Sequence, residues 1–426
     1  MKKTILVLIT LSIPIFSFAQ VNFESWFQPR TLRVDYVLAG NADTSFAFLD
    51  QLKEEPHWGG PQKNLIDKFN YGDYKFIVYD SATYTPLYSQ GFSTLFSEWR
   101  STREAKTINR SFAQTAVFPF PLKTVFFQLF ERNKNNEFVK KFGLFINPQS
   151  CFISSEVTDS FKTDKIYYNG DPAKKVDIAI LADGYTASEM GKFLDDAKRF
   201  SENLFATPPF DSYKKSFNIW AVESVSKQTG ADIPGAHVWK KTVLNSTFYT
   251  LGSDRYLMTY DTRTLHDIAS LVPYDQIYIL VNSPVYGGGG IYNYYCTSSS
   301  GDIESSTVFV HEFGHGFAGL ADEYVDDDLS YENLFSKGVE PWQPNITTLV
   351  HFDKKWQKMV TPGILVPTPE KPDYTGKTGA FEGAGYVAKG VYRPTLDCRM
   401  RTNSAKGFCP VCQKAIIDMI KFYTGE

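Results

Sequence analysis

A short motif near position 311 carries the residue types of metal-dependent hydrolysis. The letters HEFGH run from His311 to His315, which is the pattern HExxH, in apolar surroundings. On an α-helix the two histidines are one turn apart on one face, so both imidazoles can bind one zinc ion. Glu312 lies beside them, where its carboxylate can act as general base on a zinc-bound water. The spacing predicts one catalytic Zn²⁺ and the hydrolysis of peptide bonds.

A catalytic zinc ion needs a third protein ligand, and the chain offers carboxylates soon after the motif. Gly319 can end the helix in a left-handed conformation and turn the chain back. Such a turn brings Asp322 to the open side of the metal, and we predict Asp322 as the third ligand. Glu323 is the alternative, because the turn geometry decides which of the two neighbouring carboxylates faces inward.

A run of four glycines, 287–290, precedes the predicted zinc helix. It either allows the backbone of a substrate to approach closely or forms a flexible loop. Tyr292, Tyr294 and Tyr295 follow at a spacing typical of strand packing, and we leave them outside the predicted site.

The elements around the motif alternate between strands and helices. Strands are predicted at Val176–Leu181, Phe217–Val222 and Gln276–Val281. A capping box at Thr186 starts a helix with one apolar face, and a short helix is predicted near Thr264–Leu271. We therefore predict an α/β catalytic domain over residues 176–426.

The N-terminal part has a strand-like pattern. Leu32, Val34, Tyr36 and Leu38 recur at every second position, and later stretches are rich in aromatic and β-branched side chains. No helical stripe of comparable strength interrupts them. This pattern predicts an antiparallel β-sandwich over residues 20–150, with a linker over 151–175. The whole chain is therefore predicted to combine α+β and α/β architecture.

The first residues have the features of a secretory signal. Two lysines precede an apolar run, Ile5–Phe18, which is shorter than the ~20 residues that span a bilayer. We predict a signal peptide over 1–19, cleaved after Ala19, and no membrane span in the mature chain. The protein is then exported, to the periplasm, the cell surface or the medium.

The composition of the 426 residues excludes other classes. A net charge of −3 and the absence of a long basic run argue against nucleic-acid binding. Aromatic residues at 16% and charged residues at 21% indicate a folded globular protein.

Export changes the interpretation of the five cysteines, since an oxidising compartment favours pairing. The pair Cys409 and Cys412 has the spacing of a redox site or half a zinc knuckle, but no second CxxC or nearby histidine pair completes four ligands. We predict a structural disulfide that joins Cys398 to Cys409 or Cys412.

Longer motifs resemble a known family. The segment His311–Asp322 is similar to the metzincin pattern HExxHxxGxxH/D with one extra residue before the glycine, and Leu396–Arg401 is similar to its methionine turn. Together with Phe408–Cys412 and Leu181–Tyr185, they resemble the bacterial IgA metallo-endopeptidase family of exported, metzincin-like peptidases, whose catalytic domain commonly follows a β-sandwich. The resemblance covers residues 176–420 well and the N-terminal region in outline.

The resemblance implies roles for individual residues. It implies His311, His315 and Asp322 as zinc ligands, Glu312 as general base and Met400 as the apolar floor beneath the metal. The residue that stabilises the oxyanion is not assigned by it, and three candidates stay open: Tyr386, Tyr392 and Arg401.

The leading interpretation is an exported zinc endopeptidase that acts on protein or peptide substrates. One alternative is a non-enzymatic protein that binds a glycan or a host protein through a degenerate peptidase domain. Another is a zinc amidase that acts on cell-wall peptides. Cleavage of IgA is only an analogy with the family, because no residue here reads an immunoglobulin hinge.

Overall fold

The structure is a computed structural model that describes residues 21–156, 160–326, 335 and 338–426. The signal peptide predicted over 1–19 lies outside the described residues. The helices are α1 (Phe23–Trp26), α2 (Leu95–Arg100), α3 (Met190–Ala206), α4 (Thr262–Ala269), α5 (Ser305–Ala318) and α6 (Pro410–Thr424). The strands of the N-terminal half are β1 (Phe27–Gly40), β2 (Ser45–Glu55), β3 (Tyr74–Asp80), β4 (Pro86–Phe92), β5 (Arg110–Pro121), β6 (Val125–Arg132), β7 (Phe138–Ile146) and β8 (Ile153–Ser154). Those that follow are β9 (Thr163–Tyr167), β10 (Val176–Asp183), β11 (Phe217–Val222), β12 (Gln276–Val281), β13 (Gly288–Ile291), β14 (Tyr295–Ser299), β15 (Phe381–Ala384) and β16 (Val387–Arg393).

The N-terminal domain consists of two four-stranded sheets, with strand orders β5-β1-β2-β8 and β4-β3-β6-β7. All neighbours are antiparallel except β2 and β8. The four alternating residues of β1, from Leu32 to Leu38, are buried as predicted. Between the two sheets the ring of Phe118 lies 6.2 Å from that of Phe76 and 6.1 Å from that of Phe127. Inward-facing rings from both sheets thus form the core of this domain.

The sequence analysis missed a helix in this domain. Helix α2 has only six residues, too few for a helical period to stand out, and it follows β4 directly. Its N-cap Thr94 forms a capping box with Ser97, and the apolar side chains of Leu95, Phe96 and Trp99 are buried. Helix α2 matters for function because it borders the cleft described below.

The catalytic domain contains a sheet of six strands in the order β13-β14-β12-β10-β11-β9. Its four central strands are parallel, and β13 and β9 are antiparallel edges. Strands β10, β11 and β12 are buried on both faces, which explains their nearly continuous apolar sequences. The three predicted strands and both predicted helices are confirmed, including the capping box of Thr186 and Glu189. The segment predicted as a linker contributes β8 to one sheet and β9 to another.

Helices cover one face of the six-stranded sheet and the N-terminal domain covers the other. Ile178 and Ile180 belong to the apolar cluster that contains α3, α5 and α6. Ala179 and Leu181, which alternate with them, belong to a cluster shared with the N-terminal domain. The two domains therefore share a continuous hydrophobic core.

A buried ion-pair network adds a polar connection between the domains. Arg33 of β1 is 0% exposed and forms a bidentate pair with Asp35, with both N–O distances 2.8 Å. Its Nη1 atom lies 2.7 Å from Asp267 of α4 and 3.3 Å from Glu55.

Among the residues that the structure describes, no helix has the length and apolarity needed to cross a bilayer.

Candidate metal centre

The two histidines of the HExxH motif converge as the helical spacing predicts. Both lie on α5, and their Nε2 atoms are 3.0 Å apart. The Nδ1 atom of His311 is 2.9 Å from the carbonyl of Arg399, and that of His315 is 2.6 Å from the carbonyl of Leu320. Each Nδ1 therefore carries a proton and donates it, so Nε2 is the nitrogen atom that each imidazole offers to a cation. Because the two Nε2 atoms face each other, they favour a proton or a metal ion between them.

The carboxylate of Asp322 completes this group. Helix α5 ends at Gly319, which has the predicted left-handed conformation with φ of 62°. The chain then turns back, and Asp322 Oδ1 lies 3.1 Å from His311 Nε2 and 3.4 Å from His315 Nε2. The structure thus brings Asp322 to the histidines. Glu323 lies instead with Cys398, Cys409 and Cys412.

The three ligand atoms fit a zinc ion. Tetrahedral zinc with bonds of about 2.0–2.1 Å separates its ligand atoms by about 3.3 Å, close to the 3.0–3.4 Å observed. Asp322 is only 5% exposed, and its Oδ1 atom has no hydrogen-bond donor among the described residues. A buried carboxylate oxygen in this position is explained by a metal ligand role.

The charge of Asp322 makes the site attractive to cations. Burial lowers the pKa of His315, yet the carboxylate outweighs burial and raises this pKa to about 9. The pKa of His311 is raised in the same way, against the effect of burial. In return, the two imidazoles hold the pKa of Asp322 far below its usual range although burial opposes this. The carboxylate thus remains ionised, as a metal ligand must be.

Glu312 lies beside the three ligands and faces the cleft. Burial raises the pKa of its carboxyl group, while His311 and His315 oppose this rise. A carboxylate of raised pKa next to a metal has the basicity needed for a general base.

The glycine run is a strand rather than a loop. Residues 288–291 form β13, which packs directly on α5. A Cβ atom on Gly290 would lie 2.3 Å from the carbonyl oxygen of Glu312, and one on Gly288 would lie 2.8 Å from Val308 Cγ1. The flexible-loop interpretation is therefore wrong, and the glycines allow the close approach of the zinc helix. The tyrosines that follow are buried packing residues, as predicted.

The segment predicted as a methionine turn lies behind α5. Met400 is 0% exposed, and its Sδ atom lies 2.9 Å from the position a Cβ atom would take on Gly314 of α5. The carbonyl group of the preceding residue, Arg399, accepts the hydrogen bond from His311. This segment therefore packs against the helix and orients one imidazole.

The three candidates for oxyanion stabilisation occupy different places. Tyr386 and Arg401 line the cleft, and the Tyr386 hydroxyl donates a hydrogen bond to Asp322 Oδ2. Tyr392 lies on β16, where its backbone pairs with Thr347. The structure thus places two of the three at the cleft.

The cleft itself lies between the two domains and has a volume of about 1620 Å³. The residues of the candidate metal centre line the cleft together with Glu98, Arg100 and Arg132 of the N-terminal domain. Burial raises the pKa of Glu98 to about 7, and its carboxylate accepts a hydrogen bond of 2.5 Å from Tyr256. The sequence analysis missed these residues because it assigned no chemistry to the N-terminal domain and did not detect α2.

The predicted disulfide is not formed. All five cysteines are free thiols, and the Sγ atoms of Cys398 and Cys412 are 3.8 Å apart. Cys151 is exposed, and the other four are buried.

Two histidines and an aspartate on and after one helix, with a glutamate beside them in an open cleft, are an arrangement typical of metal-dependent hydrolases. The family model of IgA Peptidase M64 matches residues 165–375 and 370–420, and that of Peptidase M64 N-terminus matches residues 22–143. The chain therefore belongs to the IgA Peptidase M64 family and is a peptidase, which confirms the resemblance found in the sequence. No curated protein matches the chain.

Proposed function

We propose that this peptidase is an exported, zinc-dependent endopeptidase with a metzincin-like centre. The observation that carries the proposal is the convergence of His311, His315 and Asp322, whose ligand atoms lie 3.0–3.4 Å apart. Zinc bound there would lower the pKa of a water molecule and polarise the scissile carbonyl group.

Side chains of the cleft have three further roles in the proposed reaction: proton transfer, orientation of a ligand and stabilisation of the oxyanion. Glu312 accepts a proton from the attacking water and passes it to the nitrogen of the leaving amine. Tyr386 fixes the orientation of Asp322 through its hydrogen bond to Oδ2. Arg401 also lines the cleft and can donate to the developing oxyanion, whereas Tyr386 would have to give up its hydrogen bond to Asp322 to do so.

The dimensions of the cleft support protein or peptide substrates. Its volume of about 1620 Å³ exceeds the ~300–1,000 Å³ of pockets that enclose small ligands. Side chains of both domains line it, so an extended peptide in the cleft contacts both. The intact set of ligands and base argues against a degenerate, purely binding domain. Export is supported by the charged and apolar pattern of residues 1–19.

The decisive experiment is digestion of a mixed peptide library by the purified mature protein, with products identified by mass spectrometry. We expect cleavage that disappears with a chelator, returns with zinc and is absent in Glu312→Ala. A parallel digest of cell-wall peptides tests the amidase alternative, which is favoured if only those peptides are cut. A protein that binds no zinc at all would contradict the proposal.

A further inference from the structure

A second cluster of metal-binding side chains lies behind the catalytic centre. It consists of Glu323, Cys398, Cys409 and Cys412, whose ligand atoms all lie within 4.8 Å of one another. The four residues are between 0% and 5% exposed, so the cluster is closed to solvent. We refer to these four residues as the cysteine cluster.

The spacing within the cysteine cluster is that of a coordination sphere. The Sγ atoms of Cys398 and Cys412 are 3.8 Å apart, and Cys412 Sγ lies 3.2 Å from Glu323 Oε1. Tetrahedral zinc, with Zn–S bonds of about 2.3 Å, separates two sulfur ligands by about 3.8 Å. A disulfide would require a sulfur separation of about 2.05 Å.

The carboxylate of Glu323 indicates that a ligand belongs in the cluster. Its side chain is 0% exposed, and its Oε2 atom has no hydrogen-bond partner among the described residues. Its Oε1 atom accepts a hydrogen bond of 2.9 Å from Asn345 Nδ2 and one from Cys412 Sγ. These bonds compensate only in part for the burial of the carboxylate. A buried carboxylate with an unsatisfied oxygen is costly unless a proton or a cation neutralises it, and the three sulfur atoms beside Glu323 are ligands for a metal cation.

Positive groups lie around the cluster and would offset part of the negative charge that metal-bound thiolates carry. Cys409 is the N-cap of α6, a helix of 15 residues, so two of the cysteines lie at the positive end of its dipole. The backbone N–H of Cys409 donates a hydrogen bond of 3.2 Å to Cys398 Sγ. Arg393 and Arg399 interact electrostatically with Glu323 and Cys398, respectively.

We propose that the cysteine cluster holds a second zinc ion, with a structural role. Three thiolates and one carboxylate provide the four ligands of a closed site, and the three thiols release their protons when the ion binds. Sulfur-rich ligation selects zinc over magnesium or calcium. The four ligands leave no open coordination position for substrate, so this ion takes no part in catalysis.

The position of the cluster explains what the second ion does. Glu323 follows the ligand Asp322 directly, and its backbone N–H donates a hydrogen bond of 2.7 Å to the carbonyl of Met400. Cys398 precedes Arg399, whose carbonyl orients His311. The second ion thus joins the ligand loop, the methionine turn and the start of α6, and it positions two ligands of the catalytic centre.

The test is the zinc content of the purified mature protein, measured together with its intact mass. We expect two zinc ions per chain in the wild type and one in both Asp322→Ala and Cys409→Ser. Cys151→Ser, which changes an exposed cysteine, is the matched control and retains two. If the chain proves not to cleave peptides, the second ion is still expected in the cysteine cluster. The zinc content therefore tests this proposal independently of the peptidase proposal.

Cobalt substitution identifies which ion remains, and it does not depend on the folding of a cysteine variant. Asp322→Ala loaded with Co²⁺ is expected to show intense thiolate-to-cobalt charge-transfer absorption in the near ultraviolet. The absence of that absorption would overturn the proposal. A wild-type chain that holds one zinc ion and has an intact mass two hydrogen atoms below that of the fully reduced chain would also overturn the proposal. Such a chain contains a disulfide.

Discussion

The contact between the glycine strand and the zinc helix provides a sharp test of the site geometry. A Cβ atom added at Gly290 would lie 2.3 Å from the carbonyl oxygen of Glu312 and 3.0 Å from its carbonyl carbon. Ordinary contacts begin at about 3.4 Å, so strand and helix must separate by about 1 Å. Both atoms belong to the backbone, and no side-chain rotation relieves the clash.

We therefore expect Gly290→Ala to impair catalysis more than stability. Displacement of Glu312 by about 1 Å should lower kcat about 100-fold, because catalytic groups tolerate little misplacement. Overpacking of the helix against the strand should lower the free energy of unfolding by about 1–3 kcal/mol. The measurements are kcat for a peptide found in the library digest, and urea unfolding of the same preparation.

Two other glycines serve as graded controls. At Gly288 the nearest atom is a side-chain carbon of Val308, at 2.8 Å, so alanine there should have a smaller effect. At Gly191, in the first turn of α3, no atom lies within 4 Å of the added Cβ, and alanine should leave kcat unchanged. Full activity of Gly290→Ala would refute the argument that close strand packing fixes the position of Glu312.

Three further substitutions test other parts of the structure. Burial raises the pKa of Asp177 to about 7, so the folded state binds the extra proton and stability falls as the pH rises from about 4 to 7. Asp177→Asn should remove up to about 4 kcal/mol of this loss, so its thermal unfolding midpoint should change less with pH than that of the wild type between pH 4 and 7; parallel profiles would contradict it. Arg33→Met leaves two buried carboxylates without their counter-ion and should cost about 3–5 kcal/mol in urea unfolding, more than Asp267→Asn, whose side chain is 22% exposed. Equal costs would contradict the assignment of Arg33 as the centre of the network. Tyr386→Phe removes a hydrogen bond to Asp322 and should weaken zinc affinity about 10–100-fold in a chelator competition; unchanged affinity would show that the tyrosine does not support this ligand.

Local signals predicted the parts of the site that lie close together in the sequence. The HExxH spacing is a property of one helix, and the left-handed Gly319 is a local conformation, so both could be predicted without tertiary information. The buried strands of the catalytic sheet were equally visible, because their apolar runs are continuous.

The features that were missed depend on tertiary contacts. Glycines have low strand propensity, and β13 forms through its tertiary contacts, because it pairs with β14 and packs on α5. Helix α2 is too short for periodicity to reveal it. The cysteine cluster brings Glu323 together with cysteines more than 70 positions away, and the search for a second CxxC or a histidine pair passed over a carboxylate as the fourth ligand.

The adjacent acidic residues Asp322 and Glu323 show why the choice of third ligand was open in the sequence. Successive side chains of an extended segment point in opposite directions, so two neighbouring carboxylates cannot serve one ion equally. Here the first faces the two histidines, and the second faces the cysteine cluster. Each carboxylate therefore has its own set of partners, and a shift of one residue would place Asp322, one methylene shorter than Glu323, at the cysteines and Ala321 at the histidines. The order Asp-Glu is thus set by two sites at once, which links the geometry of the catalytic centre to the cluster behind it.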